Sequence, residues 1–334
     1  MGRDFADKLA RRQLYSHVPE AEDGTTLPDY LAAHFRRFDR AGWVRAAADG
    51  FVTVNDRTAS PETVLKRHDR VGYWPPETPE PDARLDFRVV YEDADLLVID
   101  KPGDLCVHPT GPFFRHTLWH LVGSKYGEIR FVHRIDRETS GLVVAARTRR
   151  MAAAMDNGGT PVRKEYLALV TGDLPGKMHA EGFLVHDKTS AVRKKKRFVF
   201  ADSPEAAEIR LDPSAETALT NLCAIAHVPP DMTLVRAILG TGRQHQVRAT
   251  LHSLGFPLAG DKLYGPDERL FLKIKKRSLT DADCALLRFG RQALHAAALE
   301  FRHPFTGEKL RLESPFPWAE FGLPAPESFT PPSP

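Results

Sequence analysis

Cysteine is scarce: Cys106, Cys223 and Cys284 lie far apart in 334 residues, with no C-x-x-C pair. That sparsity argues against a disulfide framework and a thiolate metal site, and suits a reducing compartment. No apolar run approaches the ~20 residues needed to cross a bilayer. The opening stretch, MGRDFADKLARRQLYSHV, lacks the apolar centre of a secretory signal, and Asp4 and Asp7 count against a transit peptide. A cytoplasmic protein without membrane or disulfide partners is therefore expected. No βα unit with a Gly-rich first turn appears, so no loop stands ready for a nucleotide cofactor. His108, His116 and His120 lie close in sequence without an acidic or Cys ligand, and no metal is expected. Neither sign of charge dominates. A net charge of +3 permits a polyanionic partner without requiring one.

Against these absences the chain shows clear organisation. Residues 1–25 are polar and aperiodic and read as a flexible arm. TLPDYLAAHFRRF then predicts a helix: Thr26 and Asp29 have capping-box spacing, and Pro28 sits in the first turn. Leu27, Tyr30, Leu31, Phe35 and Phe38 would form its apolar stripe. DGFVTVNDRTAS and TVLKRHDRVGYW are short strand candidates, so 26–78 reads as a small module. The Pro-rich, acidic stretch 79–86 reads as a linker. Beyond it, FRVVYEDADLLVIDKPG predicts two strands. Further strands are expected at 142–146, 165–170, 233–238 and 297–302, and helices at 116–124 and 244–254. Strands outnumber helices without a βα repeat, so the large domain, 87–318, is expected to be α+β with a mostly antiparallel sheet. A Pro-rich tail, 319–334, closes the chain.

One acidic residue stands out. In RFVHRIDRETSGLVV, Asp136 is crowded by His133, Arg134 and Arg137. It is either a salt-bridged loop aspartate or a carboxylate kept ionised for chemistry on an anionic substrate. If the stretch is extended, Arg134 and Asp136 project to one side. A cation within ~4–6 Å would lower the carboxyl pKa by ~1–3 units. RKEYLALVTG places Tyr166 at a strand start, where it is a core tyrosine or a site residue. LGTGRQHQVRATLH gives a Gly-rich turn entering a helix, a plain turn or a phosphate-binding one. RKKKR (193–197), KIKKR (273–277) and the group Arg36, Arg37, Arg40 and Arg45 are either solvated faces or RNA contacts.

Taken together and in order, these stretches resemble a family. HRIDRETSG resembles the H-R-L-D-x-x-T-S-G signature of RluA-type pseudouridine synthases, and GRQHQVR their G-R-T-H-Q-I-R. KEYLALVTG, the K-P turn after YEDADLLVID, GFPLAGDKLYG and LHAAALEFRHPFTGE match further segments, from about 86 to 318. The region 26–78 is similar to the alpha-L RNA-binding module first known from a ribosomal small-subunit protein. Ile135 replaces the usual Leu, Gln244 the usual Thr, and KPGDL departs from the commoner turn at Lys101.

The resemblance implies an RNA pseudouridine synthase, an isomerase without cofactor or metal that acts on large-subunit ribosomal RNA or transfer RNA. It implies Asp136 as the catalytic carboxylate and Tyr166 as the base for the uracil carbon proton. Arg243 would be the ion-pair partner of Asp136. Whether the carboxylate attacks the sugar or assists proton removal stays open. His133, Arg134, Thr139, Lys101, Gln244 and Arg248 would bind the substrate. Arg193, Lys194, Lys195, Lys196 and Arg197, with Arg36 and Arg37, would bind the RNA. A monomer is expected, since one domain assembles the site. The competing possibilities are a non-catalytic RNA-binding or ribosome-assembly factor and a hydrolase using Asp136 as a base.

Overall fold

The structure is a computed structural model that describes residues 5, 9–156, 159–276 and 278–325. The chain divides into two compact units. The first comprises residues 1–81 with 110–115 and 123–128; the second comprises 82–109, 116–122 and 129–334.

In the first unit, β1 (Leu14–His17), β2 (Val52–Val54), β3 (Arg57–Thr58) and β4 (Arg70–Tyr73) form an antiparallel sheet ordered β1-β4-β2-β3. The flexible arm expected over 1–25 is thus corrected: its Leu14–His17 is a paired strand. Asn55 and Asp56, both at positive φ, make the two-residue turn between β2 and β3, the backbone twist that tight hairpins favour. The helix begins at Leu27 as expected but ends at His34. Phe35 has extended backbone, and Asp39 starts a second helix, Arg40–Ala48, by accepting the Gly42 N–H at 2.7 Å. The single stripe out to Phe38 is therefore replaced by two helices. Leu27, Tyr30, Leu31, Trp43, Val52, Leu65, Val71 and Tyr73 fill the core between them and the sheet.

The second unit is built on eleven strands. They are β5 (Arg88–Glu92), β6 (Leu96–Lys101), β7 (Arg130–Phe131), β8 (Ser140–Ala146), β9 (Arg163–Thr171), β10 (Lys177–His186), β11 (Lys196–Phe200), β12 (Glu216–Val228), β13 (Met232–Leu239), β14 (Leu294–Arg302) and β15 (Lys309–Glu313). Their order is β11-β10-β12-β13-β9-β14-β8-β6-β5, with β15 on β14 and β7 on β8. The pairings are antiparallel except β14 with β8, so the α+β, mostly antiparallel expectation describes the sheet. Strands β10 and β12 escaped the sequence, because half-exposed strands rich in small and polar residues carry little continuous apolar signal, and β11 (KRFVF) because it is short and adjoins a basic run.

The one parallel pairing fixes the Thr-Ser-Gly signal. Ser140 and Gly141 pair with His295 and Ala296. Gly141 has φ +106°, and a Cβ there would lie 2.3 Å from the Ala296 carbonyl oxygen, so only glycine fits. The Pro-rich tail is ordered at its start. Trp318–Phe321 is a short 3-10 helix, and Phe316 and Phe321 are buried with Leu234 and Ala293; residues 326–334 lie outside the described set. No helix among the described residues is long and apolar enough to cross a membrane.

Candidate active site

Asp136 lies in the loop between β7 and β8, and that loop is tied from two sides. Lys101, with no solvent exposure, donates its ammonium protons to the carbonyls of Pro102 and Leu105 (both 2.8 Å) and Arg137 (3.1 Å). On the other side Gln292 Nε2 donates to Thr139 Oγ1 at 2.6 Å, and Arg291 Nη1 donates to the Glu138 carbonyl at 3.0 Å. Lys101 was expected to bind substrate. That expectation is corrected: its donors are occupied by backbone carbonyls, and it positions the loop instead. Thr139 is buried too, its hydroxyl oxygen accepting from Gln292, although it borders the cleft.

The cation that holds Asp136 ionised comes from far along the chain. Arg248 Nη1 donates to Asp136 Oδ2 at 2.6 Å, while its Nε and Nη2 donate to the two oxygens of Asp261 at 2.7 and 2.9 Å. Asp261 is fully buried and also accepts the backbone N–H groups of Leu263 and Tyr264. Arg243, expected as the ion-pair partner, is exposed and donates from Nε to the Thr217 carbonyl at 3.2 Å. The helix geometry explains the exchange. Gln246 Oε1 accepts the Arg243 N–H, so Arg243 stays in the turn before the helix Gln246–Ser253, and Arg248 occupies its buried first turn. The same Gln246 donates to Leu219 O and Thr220 Oγ1, pinning that turn to β12.

Burial alone would raise the Asp136 carboxyl, but Arg248 and then His245 outweigh it and hold the group down at about 2. Its side chain keeps 26% exposure, so an ionised oxygen faces open space. That space is a cleft of about 340 Å³ bordered by Arg134, Asp136, Tyr166, Arg243, Gln244, His245 and Arg248, the size of a small-molecule site. Burial, and then the Asp136 charge, push the Tyr166 phenol above its ordinary value. His245 adopts φ +60°, a left-handed conformation uncommon outside glycine. Burial and then Arg248 pull its imidazole down to about 4, so it is neutral at neutral pH.

Other sequence candidates fall elsewhere. His133 turns away from the cleft: its Nε2 accepts the Val144 N–H at 3.3 Å, and burial pushes it down to about 3, which corrects its assignment to RNA. Arg137 pairs with Asp104 at 3.2 Å. In RKKKR, Lys195 pairs with Glu268, Lys196 with Glu216 and Arg197 with both oxygens of Glu205. Those three cations, expected as RNA contacts, are thus engaged by carboxylates of the same chain, Arg197 and Glu205 at the surface. Arg193 is exposed, and Lys194 Nζ sits 4.3 Å from the Phe271 ring centroid. In KIKKR, Lys273 pairs with Asp283, and Arg277 is outside the described residues. Arg36 and Arg37 belong to the first unit, where Arg37 stacks over Phe38 and Tyr73. Asp261, His245, Gln246, Tyr264 and Gln292 carried no assigned role, although the first four lie within the GRQHQVR and GFPLAGDKLYG stretches.

A family model described as RNA pseudouridylate synthase matches residues 95–253. The chain is 31% identical over 325 residues to ribosomal large subunit pseudouridine synthase D of Vibrio vulnificus (strain CMCP6), covering 91% of each chain. It is 30% identical over 312 residues to a Bacillus subtilis (strain 168) chain named uncharacterized RNA pseudouridine synthase YlyB, covering 89% and 92%. Among solved structures, human RNA pseudouridylate synthase domain containing 1 shares the fold, with a TM-score of 0.54 and 23% identity. That match covers 72% of this chain and 87% of the other.

Proposed function

Because the chain belongs to the RNA pseudouridine synthase family, whose members are isomerases, we propose that it converts specific uridines of large-subunit ribosomal RNA to pseudouridine, with Asp136 as the catalytic carboxylate. The names of the relatives support ribosomal over transfer RNA as the substrate. The observation that carries the role of Asp136 is its asymmetry: Oδ2 is held by Arg248, and the side chain opens into the cleft beside Tyr166.

The reaction breaks the bond from ribose to the uracil nitrogen and rejoins ribose to a ring carbon. Asp136, ionised at every physiological pH, attacks the anomeric carbon or helps to remove a sugar proton. Arg248 keeps the carboxylate oriented and deprotonated. Tyr166 enters the reaction as a neutral phenol. Once ribose is joined to the ring carbon, the Asp136 carboxylate is free again. Tyr166 then accepts the ring-carbon proton as its own phenolic proton passes to the uracil nitrogen that had left ribose, so the isomerisation balances. A stacked uridine is out of reach, so the base must be flipped, at a cost of a few kcal/mol. Arg134, exposed at the cleft edge, fills the vacated stack or holds a phosphate.

Residues 26–78 serve as a separate RNA-binding module, a role supported by their helix pair on a small sheet and by exposed Arg36. All the catalytic groups come from one unit of one chain, which supports a monomer. A ribosomal substrate keeps the cytoplasmic placement.

Tritium release from ribosomal and transfer transcripts labelled at uracil carbon 5 tests this. Release from ribosomal RNA that Asp136→Asn abolishes is the expected result. Release from transfer RNA alone would move the substrate class. Intact RNA binding without release from either pool would favour the non-catalytic alternative.

A further inference from the structure

Three hydrogen-bonding groups in series lead from the sheet to the free side of Asp136. The Lys196 backbone N–H donates to the Tyr264 hydroxyl oxygen at 3.0 Å. The Tyr264 hydroxyl lies 3.1 Å from His245 Nδ1. Its oxygen accepts from Lys196 and its proton is left to give to Nδ1, the arrangement in which a neutral imidazole carries its one N–H on Nε2. That Nε2 faces Asp136 Oδ1 at 3.8 Å, too far for a direct hydrogen bond. The left-handed backbone of His245 holds the ring there, a strained conformation of the kind found at functional sites. Asp136 Oδ2, by contrast, is occupied by Arg248.

We infer that His245 Nε2–H and Asp136 Oδ1 together bind the 2′-hydroxyl of the flipped nucleotide, so that His245 makes the site specific for a ribonucleotide. This rests on the pseudouridine synthase reading. One hydroxyl oxygen sits at about 2.8 Å from both atoms, accepting from Nε2–H and donating its own proton to Oδ1. The chemistry puts that hydroxyl at hand. Attack on the anomeric carbon comes from the face opposite the departing base, which in a ribonucleoside carries the 2′-hydroxyl. Proton removal from the sugar would bring Oδ1 to the 2′-carbon itself.

The test is single-turnover pseudouridine formation on a transcript that the wild type modifies, carrying either uridine or 2′-deoxyuridine at the target. Wild type, His245→Asn and Tyr264→Phe are compared. Asparagine tolerates the left-handed backbone better than other replacements. The 2′-deoxy substitution should slow the wild type by about 10- to 100-fold, the range for one hydrogen bond in a buried charged site. The same substitution should slow His245→Asn several-fold less than the wild type, because one of the two partners of the hydroxyl is already gone and only Asp136 Oδ1 remains. Tyr264→Phe, which frees the imidazole tautomer, should fall between the two. An equal 2′-deoxy penalty in all three proteins overturns the inference. If His245→Asn fails to fold, Tyr264→Phe decides: a reduced penalty supports the contact and an unchanged one overturns it. A wild type that forms no pseudouridine on any transcript overturns the functional reading and the inference with it, an outcome distinct from equal penalties.

Discussion

Asp136 and Asp261 share one arginine, yet they sit in opposite circumstances. Asp261, with no exposure, accepts two hydrogen bonds from Arg248 and two from backbone N–H groups. Asp136 accepts one short bond from the same guanidinium and also interacts with the Gln292 amide. Among the described residues it has no backbone N–H on its carboxylate like those on Asp261, and it borders an open cleft. Both carboxyls are pushed below the usual range; burial works against this in each case, and Arg248 is the first cause that outweighs it. Ionisation alone therefore does not mark a reactive carboxylate. What separates the two is whether the lone pairs are already filled. A saturated carboxylate anchors Arg248, and an unsaturated one is left to meet a substrate.

The sharpest way to break this contrast is to neutralise each partner in turn. Asp136→Asn should remove more than about 10⁴-fold of the activity, as loss of an essential catalytic group does, while the protein stays folded because Arg248 keeps Asp261. Asp261→Asn should do the reverse. It strands part of a buried guanidinium charge and should destabilise the fold by about 3–5 kcal/mol, the cost of breaking a buried pair from one side. Thermal melting and tritium release on both variants check this. Equal stability losses in the two would show that the filled and open carboxylates are not distinct.

A smaller effect follows from pH. The folded Asp136 carboxyl titrates at about 2, below the ~3.9 of an unfolded aspartate. A depressed carboxyl contributes stability that is present above the unfolded value and lost as pH falls through the folded one. The difference in melting temperature between wild type and Asp136→Asn should therefore be constant down to about pH 4. It should then shrink toward about 2. Melting curves from pH 7 to 3 measure it, and a gap that closes already near pH 6 would mean that Asp136 is not held by Arg248 as described.

This contrast also shows why part of the site was legible in the sequence and part was not. Asp136 is conspicuous because its local neighbours are bases, and Gly141 because the β14 backbone leaves no room beside it. The cation that matters is 112 residues away, and no local pattern distinguishes Arg248 from Arg243. Only the helix start after Gln246 decides which of them points inward. Likewise Thr26 and Asp29 announce a helix, but its end at Phe35 depends on Asp39 capping the next one. Local signals such as caps, turns and apolar periods survive in a sequence. Contacts between distant segments do not, and these gave Lys101, Asp261 and the whole β10–β12 region their roles.

The smallest effect is expected where the same distinction between filled and unfilled groups recurs on the surface. RKKKR looks like a uniform patch of five cations, but Arg197 gives both guanidinium arms to Glu205 at 2.8 and 2.7 Å, whereas Arg193 is exposed. A cation already neutralised by a carboxylate releases few counterions when RNA arrives; an unpaired one releases about one per phosphate. Arg193→Ala should therefore flatten the plot of log affinity against log salt by about one phosphate contact. Arg197→Ala should leave the slope nearly unchanged, or steepen the electrostatic penalty slightly by exposing Glu205. Binding of a ribosomal transcript across a salt series separates the two. Equal changes in slope would mean that the Glu205 pair opens when RNA binds. The basic run would then act as the uniform patch its sequence suggests, and fold-state ion pairing would be a poor guide to which cations face the nucleic acid.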